Sequence, residues 1–489
     1  MSITSDEINF LVFRYLQESG FSHSAFTFGY ESFVNKTQIN GDDVPPGALI
    51  SFIQKGLQYL ELEANLNEDG TVMQGDFSCL TPMDLLTKDI EMLKQKVQEQ
   101  QLLQQSSAQQ GRDSKGGAKA MDEDRPVEIP ASQVSILDGH QSEVFVCAWN
   151  PTTSMLASGS GDSTARIWEA NPGPCGPDAQ ANCRDPIVLE HCNSKSKEKS
   201  KDVTTLGWNP EGTLLATGSY DGHVRVWSKA GEMTNELKKH KGPIFSLKWN
   251  QMGSYLLSGS VDRTAIIWDA KTGDVKQQFE FHTAPTLDVD WRNNTSFASC
   301  STDKMIYVCE LGKNKYVKKF VGHGDEVNAI KWDPTGTLLA SCSDDFTAKI
   351  WSLKQDKCLH DLTNHTKEIY TITWSPSGPG TANPNQQLML ASASFDANIK
   401  LWEVEQGRCL YSLTQHTDPV YSVSFSPDAQ FLASGSFDKN VHIWSVKDGS
   451  LVRTYKAGGG IFEVSWNKDG NKVAACCSNN KVCIIDFRM

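Results

Sequence analysis

From residue 131 onward the chain repeats, and the repeat narrows its possible folds more than any other feature. Aspartates recur at Asp162, Asp221, Asp262, Asp303, Asp345, Asp396 and Asp438, with Asn480 in the eighth place, mostly 41 or 42 residues apart. Six residues after each stand Trp168, Trp227, Trp268, Cys309, Trp351, Trp402, Trp444 and Asp486. A second aromatic column precedes each turn: Trp149, Trp208, Trp249, Trp291, Trp332, Trp374, Phe425 and Trp466. All 13 tryptophans occupy one of these columns, so none is left for another purpose. Two units are long, through insertions around residues 171–201 and 378–387 that lengthen surface loops without disturbing the strands.

The period, the Gly-His pairs such as Gly322-His323 and the closing tryptophan resemble those of WD40 repeats. That resemblance implies a mainly β fold over residues 131–489, an eight-bladed propeller of four-stranded blades. The last unit ends at "KVCIIDFRM" and supplies only the third strand of its blade. "SQVSIL", ahead of His140, has strand character and no earlier blade to serve. It is expected to complete blade eight and close the ring, removing free sheet edges.

His323, Ser341 and Asp345 have the chemistry of a hydrolase triad. The alignment argues against catalysis. Equivalent sets are His140, Ser158, Asp162 and Trp168; His240, Ser258, Asp262 and Trp268; His365, Ser392, Asp396 and Trp402; and His416, Ser434, Asp438 and Trp444. An enzyme has no use for five copies around a ring. A fold does, because a buried turn aspartate needs a donor and histidine supplies one. His323, Ser341, Asp345 and Trp351 are therefore read as a structural tetrad. Blade four, with Cys309 for tryptophan, and blade eight, with neither aspartate nor histidine, are expected to be less well anchored.

Nothing else in the sequence points to catalysis, a cofactor or a metal. "AGGGIF" (457–462) lacks the Lys-Ser/Thr of a phosphate-binding loop. Cys175, Cys183, His191 and Cys192 match no familiar zinc spacing and are read as part of a disordered loop. "KSKEKSK" (195–201) is read as a solvated loop.

Residues 1–90 read as helical. Thr4 and Glu7 make a capping box, and Ile8, Leu11, Val12, Tyr15 and Leu16 follow at helical spacing. Helices this short cannot bury all of Phe10, Phe13, Phe21 and Phe28 by themselves, which favours a partner chain. Tyr15-Leu16, Gly20-Phe21, Ala25, Phe28 and Glu31 resemble a LisH motif (about 4–36). The resemblance implies self-association, with Phe10, Leu11, Tyr15, Leu16, Phe21, Ala25 and Phe28 as oligomerisation residues. Residues 91–130 are rich in Gln, Ser, Gly and charge, cannot offset their ordering entropy, and read as a flexible linker.

The net charge of −13 argues against direct nucleic-acid binding and is compatible with a basic protein partner. No apolar run is long enough for a membrane helix. The 13 cysteines, odd in number and mostly inside strand-like runs, read as reduced thiols of the cytosol or nucleus.

Four residues before the first aromatic column stand Phe145, Thr204, Phe245, Leu287, Asn328, Tyr370, Tyr421 and Phe462. Just before each turn aspartate stand Gly161, Tyr220, Val261, Thr302, Asp344, Phe395, Phe437 and Asn479. In WD40 proteins both positions generally lie at the top of the central channel. Phe145, Tyr220, Phe245, Asp344, Tyr370, Phe395, Tyr421, Phe437 and Phe462 are therefore the expected protein-binding face. Glu143, Asp202, Glu326 and Glu368 accompany them and suit a peptide carrying Lys or Arg.

A LisH motif, a flexible middle and a C-terminal propeller together resemble the transducin-beta-like corepressor family, with wording such as "CIIDFRM" most like its plant members. The resemblance implies a nuclear, non-catalytic scaffold that oligomerises through LisH, joins histone deacetylase and corepressor proteins, and binds histone tails or regulators with its propeller. The segment after LisH is similar to that family's F-box-like region. The linker departs from the plant pattern, being short and Gln-rich. A second reading is a substrate receptor of a cullin-type ubiquitin ligase, because "LLSGSVDRTAIIWDAK" (256–271) is similar to a box that binds a cullin adaptor. Only "WDAK" adds to what the repeat already dictates.

Overall fold

The computed structural model describes residues 4–18, 47–64, 92–94, 127–170, 185–191 and 201–488, with single positions between them. The chain forms two compact units, residues 1–122 and 123–489.

In the first unit, α1 (Ser5–Glu18) begins at the capping box. The Thr4 amide donates to Glu7 Oε2 (2.7 Å) and the Glu7 amide to Thr4 Oγ1 (3.3 Å), so two orphan donors of the first turn are satisfied. The α1 helix buries Phe10 and Leu11, and leaves Ile8 (44%) and Tyr15 (36%) exposed. The apolar stripe read from the sequence is thus only partly covered within the chain. Glu18 Oε2 accepts the Gly47 amide (2.9 Å) and ties α1 to the start of α2 (Ala48–Ala64). Ala25 is buried and Phe28 half-buried, whereas Gly20, Phe21 and Glu31 fall outside the described residues.

The second unit is a ring of eight antiparallel blades. The innermost strands, from Val144–Trp149 in blade one to Ile461–Trp466 in blade eight, neighbour one another around a central channel. Val134–Leu137 pairs antiparallel with Val482–Asp486, Val134 opposite Ile485 and Leu137 opposite Val482, and closes the ring. Val127 and Glu128 add a fifth, parallel strand outside Leu451–Lys456 of blade seven, which two residues of sequence do not announce.

The cores lie between blades. Ala340, Ile350 and Leu362 of blade five pack on Ile369, Ile372 and Trp374 of blade six, and the same arrangement recurs around the ring. The first aromatic column stitches this ring together. Indole N–H groups donate to inner-strand carbonyls of the preceding blade: Trp208 to Ala148, Trp249 to Gly207, Trp291 to Lys248, Trp374 to Lys331, Trp466 to Ser424 and Trp149 to Ser465. Phe425 has no such donor. Trp332 Nε1 lacks a partner, and the Arg292 guanidinium lies 5.6 Å from its ring.

The insertion at 171–201 needs correction. It carries the fourth strand of blade one, Ile187–Glu190, and His191 is buried beside it. The His191 ring is committed on both sides, with Nε2 at Thr217 Oγ1 (2.8 Å) and Nδ1 at the Leu189 carbonyl (3.0 Å). It is the tetrad histidine of blade two, and its Nδ1 faces a backbone carbonyl rather than a carboxylate that could share a metal with it. Cys175 is buried, while Cys183 and Cys192 lie outside the described residues.

Candidate functional site

His323 Nδ1 lies 2.8 Å from Asp345 Oδ2, and Nε2 lies 2.7 Å from Ser341 Oγ. The Trp351 indole N–H donates to the same Ser341 oxygen (2.8 Å). An ionised Asp345 only accepts, so His323 carries its proton on Nδ1, and the serine hydroxyl donates to Nε2. That is the polarity of a hydrolase triad. The difference is access: Ser341 is 0% exposed, and so are Ser158, Ser258, Ser392 and Ser434 in the equivalent sets. A nucleophile sealed in a core and bonded to an indole reaches no substrate.

Burial pushes the Asp345 carboxyl up, but hydrogen bonds from His323, Thr347 and the Gly324 amide outweigh it and hold it well below the usual carboxylate range. Asp162, Asp262 and Asp396 are held down in the same way. Blade four keeps more of the network than its missing tryptophan implies. His282 lies 3.0 Å from Asp303 and 2.9 Å from Ser299, with the Tyr307 ring 4.9 Å from its own. In blade two Arg225 takes the histidine's place on Asp221 (2.8 Å), and that carboxyl, raised by burial and lowered further by Arg225, settles at about 2. Blade eight carries Gly458, Cys476, Asn480 and Asp486 at the four positions, and its core is the apolar set Val473, Ala475, Cys477, Cys483 and Ile485.

The expected binding face is built by a repeated irregularity. In all eight blades the register of the innermost strand slips at one residue: Phe145, Thr204, Phe245, Leu287, Asn328, Tyr370, Tyr421 and Phe462. A β-bulge leaves its extra residue unpaired and re-aims the side chain. Across seven of the eight bulges a backbone bond ties the residue before the turn aspartate to the strand entry, as from Asp344 to the Glu326 carbonyl and from Phe395 to that of Glu368; in blade eight the bond runs from Ser478 to the Gly460 carbonyl.

Six of the nine expected residues form one aromatic arc over blades six, seven, eight and one. Ring centroids are 5.9 Å apart for Tyr370 and Phe395, 5.2 Å for Tyr370 and Tyr421, and 6.3 Å for Tyr421 and Phe437. Phe462 lies 5.9 Å from Tyr421 and 5.6 Å from Phe145. Gly161 leaves room for Phe145, since a Cβ there would come within 3.2 Å of its ring. Tyr370 (46%) and Phe437 (48%) stand well into solvent. Tyr220 and Phe245 are exposed but make no ring contact with the arc among the described residues.

Asp344 borders the arc. Asn328 Nδ2 donates to Asp344 Oδ1 (2.6 Å) and to the carbonyl of Ile369, the residue before Tyr370. Burial and the charges of Asp344 and Asp325 push Glu326 upward, the mark of carboxylates crowded without a sufficient counter-charge. In the channel Glu463 accepts the Cys147 amide (2.7 Å). Burial drives its carboxyl up to about 7, against the pull of that bond and of Lys248 and Lys331. The sequence reading missed Glu463, because a single glutamate on an inner strand carries no pattern.

A model of the WD domain, G-beta repeat, matches residues 131–169, 191–228, 231–269, 314–352, 356–403, 407–445 and 449–486. Most of blade four falls in the gap. A LisH model matches residues 6–32. Fold and repeats thus define a LisH-bearing WD40-repeat propeller protein. Over 100% of both chains the sequence is 55% identical to the mouse F-box-like/WD repeat-containing protein TBL1X and 48% identical to the Arabidopsis thaliana WD40 repeat-containing protein HOS15. The second alignment spans 611 positions against 532, so gaps account for its lower percentage and the number of identities is nearly the same. The chain belongs to the transducin-beta-like LisH/WD40-repeat family, that of TBL1X and HOS15. Among solved structures, the C-terminal WD40 domain of Sif2 superposes with a TM-score of 0.62 at 26% identity, covering 74% of this chain and 99% of that one.

Proposed function

We propose that the protein is a non-catalytic scaffold of a nuclear transcriptional corepressor assembly containing histone deacetylase. In this reading it self-associates through LisH and holds basic protein segments, histone tails among them, on the aromatic arc. The observation that carries it is the arc itself: six rings, four presented by β-bulges and two, Phe395 and Phe437, standing before the turn aspartates, next to Asp344, Glu326 and Glu368. Aromatic faces attract Lys and Arg side chains, and unneutralised carboxylates complete the match. The second reading, a cullin-ligase receptor, gains nothing from the geometry. In "WDAK", Trp268 is buried in its tetrad and Asp269 caps the following turn through the Lys271 and Thr272 amides, which leaves Lys271 as the exposed residue.

The test is peptide binding by fluorescence anisotropy, with lysine-rich histone-tail peptides as probes. Tyr370→Ala combined with Phe437→Ala is expected to weaken binding by roughly tenfold or more while leaving the melting temperature unchanged. Undiminished binding of every peptide would overturn the assignment. Affinity purification from nuclei separates the two readings, since recovery of deacetylase without a cullin adaptor supports the scaffold.

A further inference from the structure

Four residues after the turn aspartates, on the third strand of each blade, stand Arg166, Arg225, Ile266, Tyr307, Lys349, Lys400, His442 and Ile484. Blade seven alone places a second imidazole there, beside its tetrad histidine. His442 is 3% exposed and its ring centroid lies 4.2 Å from that of His416, with the planes tilted by 34°. One ring nitrogen is satisfied, Nδ1 at 2.9 Å from Thr454 Oγ1. The other, Nε2, is buried without a hydrogen-bond partner. A nitrogen of each histidine and an oxygen of Asp438 all lie within 4.8 Å of one another.

We propose that blade seven carries a transition-metal site in which His416, Asp438 and His442 are the ligands of one cation of the Zn2+ class. Two imidazoles and a carboxylate are a recurrent ligand set for such ions, with a fourth position left for water. The second shell is in place. Thr454 Oγ1 lies 2.9 Å from His442 Nδ1 and can accept its proton in the tautomer that ligates through Nε2, and Ser434 Oγ lies 2.8 Å from His416 Nε2. Asp438 Oδ2 faces the pair, 2.8 Å from His416 Nδ1. Tetrahedral Zn2+ with nitrogen ligands at about 2.1 Å sets ligand atoms about 3.4 Å apart. The cluster therefore closes by side-chain adjustments of about 1–1.5 Å. On binding, His416 changes tautomer: the proton leaves Nδ1, where the metal takes its place between His416 and Asp438, and Nε2 gains one from solvent and donates it to Ser434 Oγ, so the ring stays neutral and no net proton is released. Tetrads lacking a second histidine have no such third ligand.

The experiment uses the full chain stripped with chelator and titrated with Co2+ as an optical stand-in for Zn2+. Wild type is expected to develop visible d–d bands without a thiolate charge-transfer band, which separates His/Asp ligation from the free cysteines, and Zn2+ is expected to bleach them. His442→Ile places in blade seven the residue that blades three and eight already tolerate, and should weaken the bands' titration by at least roughly tenfold while keeping a cooperative melt. Lys400→His builds the same triad in blade six with His365 and Asp396, and should add a second equivalent. Undiminished bands in His442→Ile, or no bands in wild type, would overturn the proposal.

Discussion

Asp345 is heavily bonded within its blade. It accepts from His323, the Gly324 amide, and both the amide and hydroxyl of Thr347. Asp345→Asn turns half of that acceptor into a donor facing donors, and is expected to cost about 2–3 kcal/mol. Asn480→Asp should change stability far less, since Gly458 stands where the histidine would be. Calorimetry of the two variants makes the comparison. The pH dependence has two opposed parts. The turn aspartates have folded pKa values below their unfolded ones, so their contribution is complete above about pH 4 and drains away as pH falls through the folded values. Glu463 has the reverse sign. Its folded value of about 7 lies above the ordinary 4.5, so its contribution is complete below 4.5 and is lost as pH rises toward 7. Glu463→Gln is therefore expected to match wild type in urea melts at pH 4.5 and to exceed it at pH 8 by about 1–2 kcal/mol, a figure discounted for water in the channel. The aspartates were legible in the sequence because a local turn selects them and seven copies repeat the selection. Glu463 was not, because its burial arises only once the blades are arranged in a ring.

At the scale of elements, closure rests on Val134–Leu137. Removing residues 1–138 leaves Val482–Asp486 as an open edge bearing Ile484 and Ile485, and should lower the melting temperature sharply and cause aggregation. Removing residues 1–128 takes from blade seven only the two-residue strand and keeps the buried Ile129, and should be nearly silent in the same thermal melts. The closing strand could be read from "SQVSIL" because eight third strands were counted against seven available fourth ones. The strand at 127–128 is too short for periodicity to register. Ile187–Glu190 was hidden for another reason: it sits inside an insertion whose length disguises the ordinary fourth strand of blade one. Its neighbour His191 then looked like a candidate ligand, although Thr217, standing where other blades have serine, was its partner. The bulges were visible only as a column of aromatic residues. The register slip that presents them is a property of the paired strands, not of either one.

For the whole molecule, the first unit leaves apolar surface uncovered. Ile8 and Tyr15 lie two turns apart on one face of α1, and Ile50, Phe52, Ile53 and Tyr59 of α2 are exposed as well. Ile8→Glu with Tyr15→Glu is expected to reduce the mass measured by light scattering to that of one chain, with the propeller melt unchanged. Light scattering that stays at the higher mass would place self-association elsewhere. Seven repeats match the WD-domain model and the eighth is evident from the strands, so the ring was legible from spacing alone. The arc was legible as a list and not as a surface: Tyr220 and Phe245 satisfy the same rule of position as Tyr370 and Phe437, and only the geometry separates them.

The ring closes between residues that leave the ribosome far apart in time. Val134–Leu137 is made early, and its partner Val482–Asp486 follows some 350 residues later. Throughout that interval the first strand waits without a mate, and seven blades form one after another on an arc that cannot yet shut. Joining ends so distant in sequence costs chain entropy that no single blade repays. The final step of folding therefore belongs to a five-residue strand, and a stop codon just ahead of Val482 would leave both ends of the propeller unfinished at once.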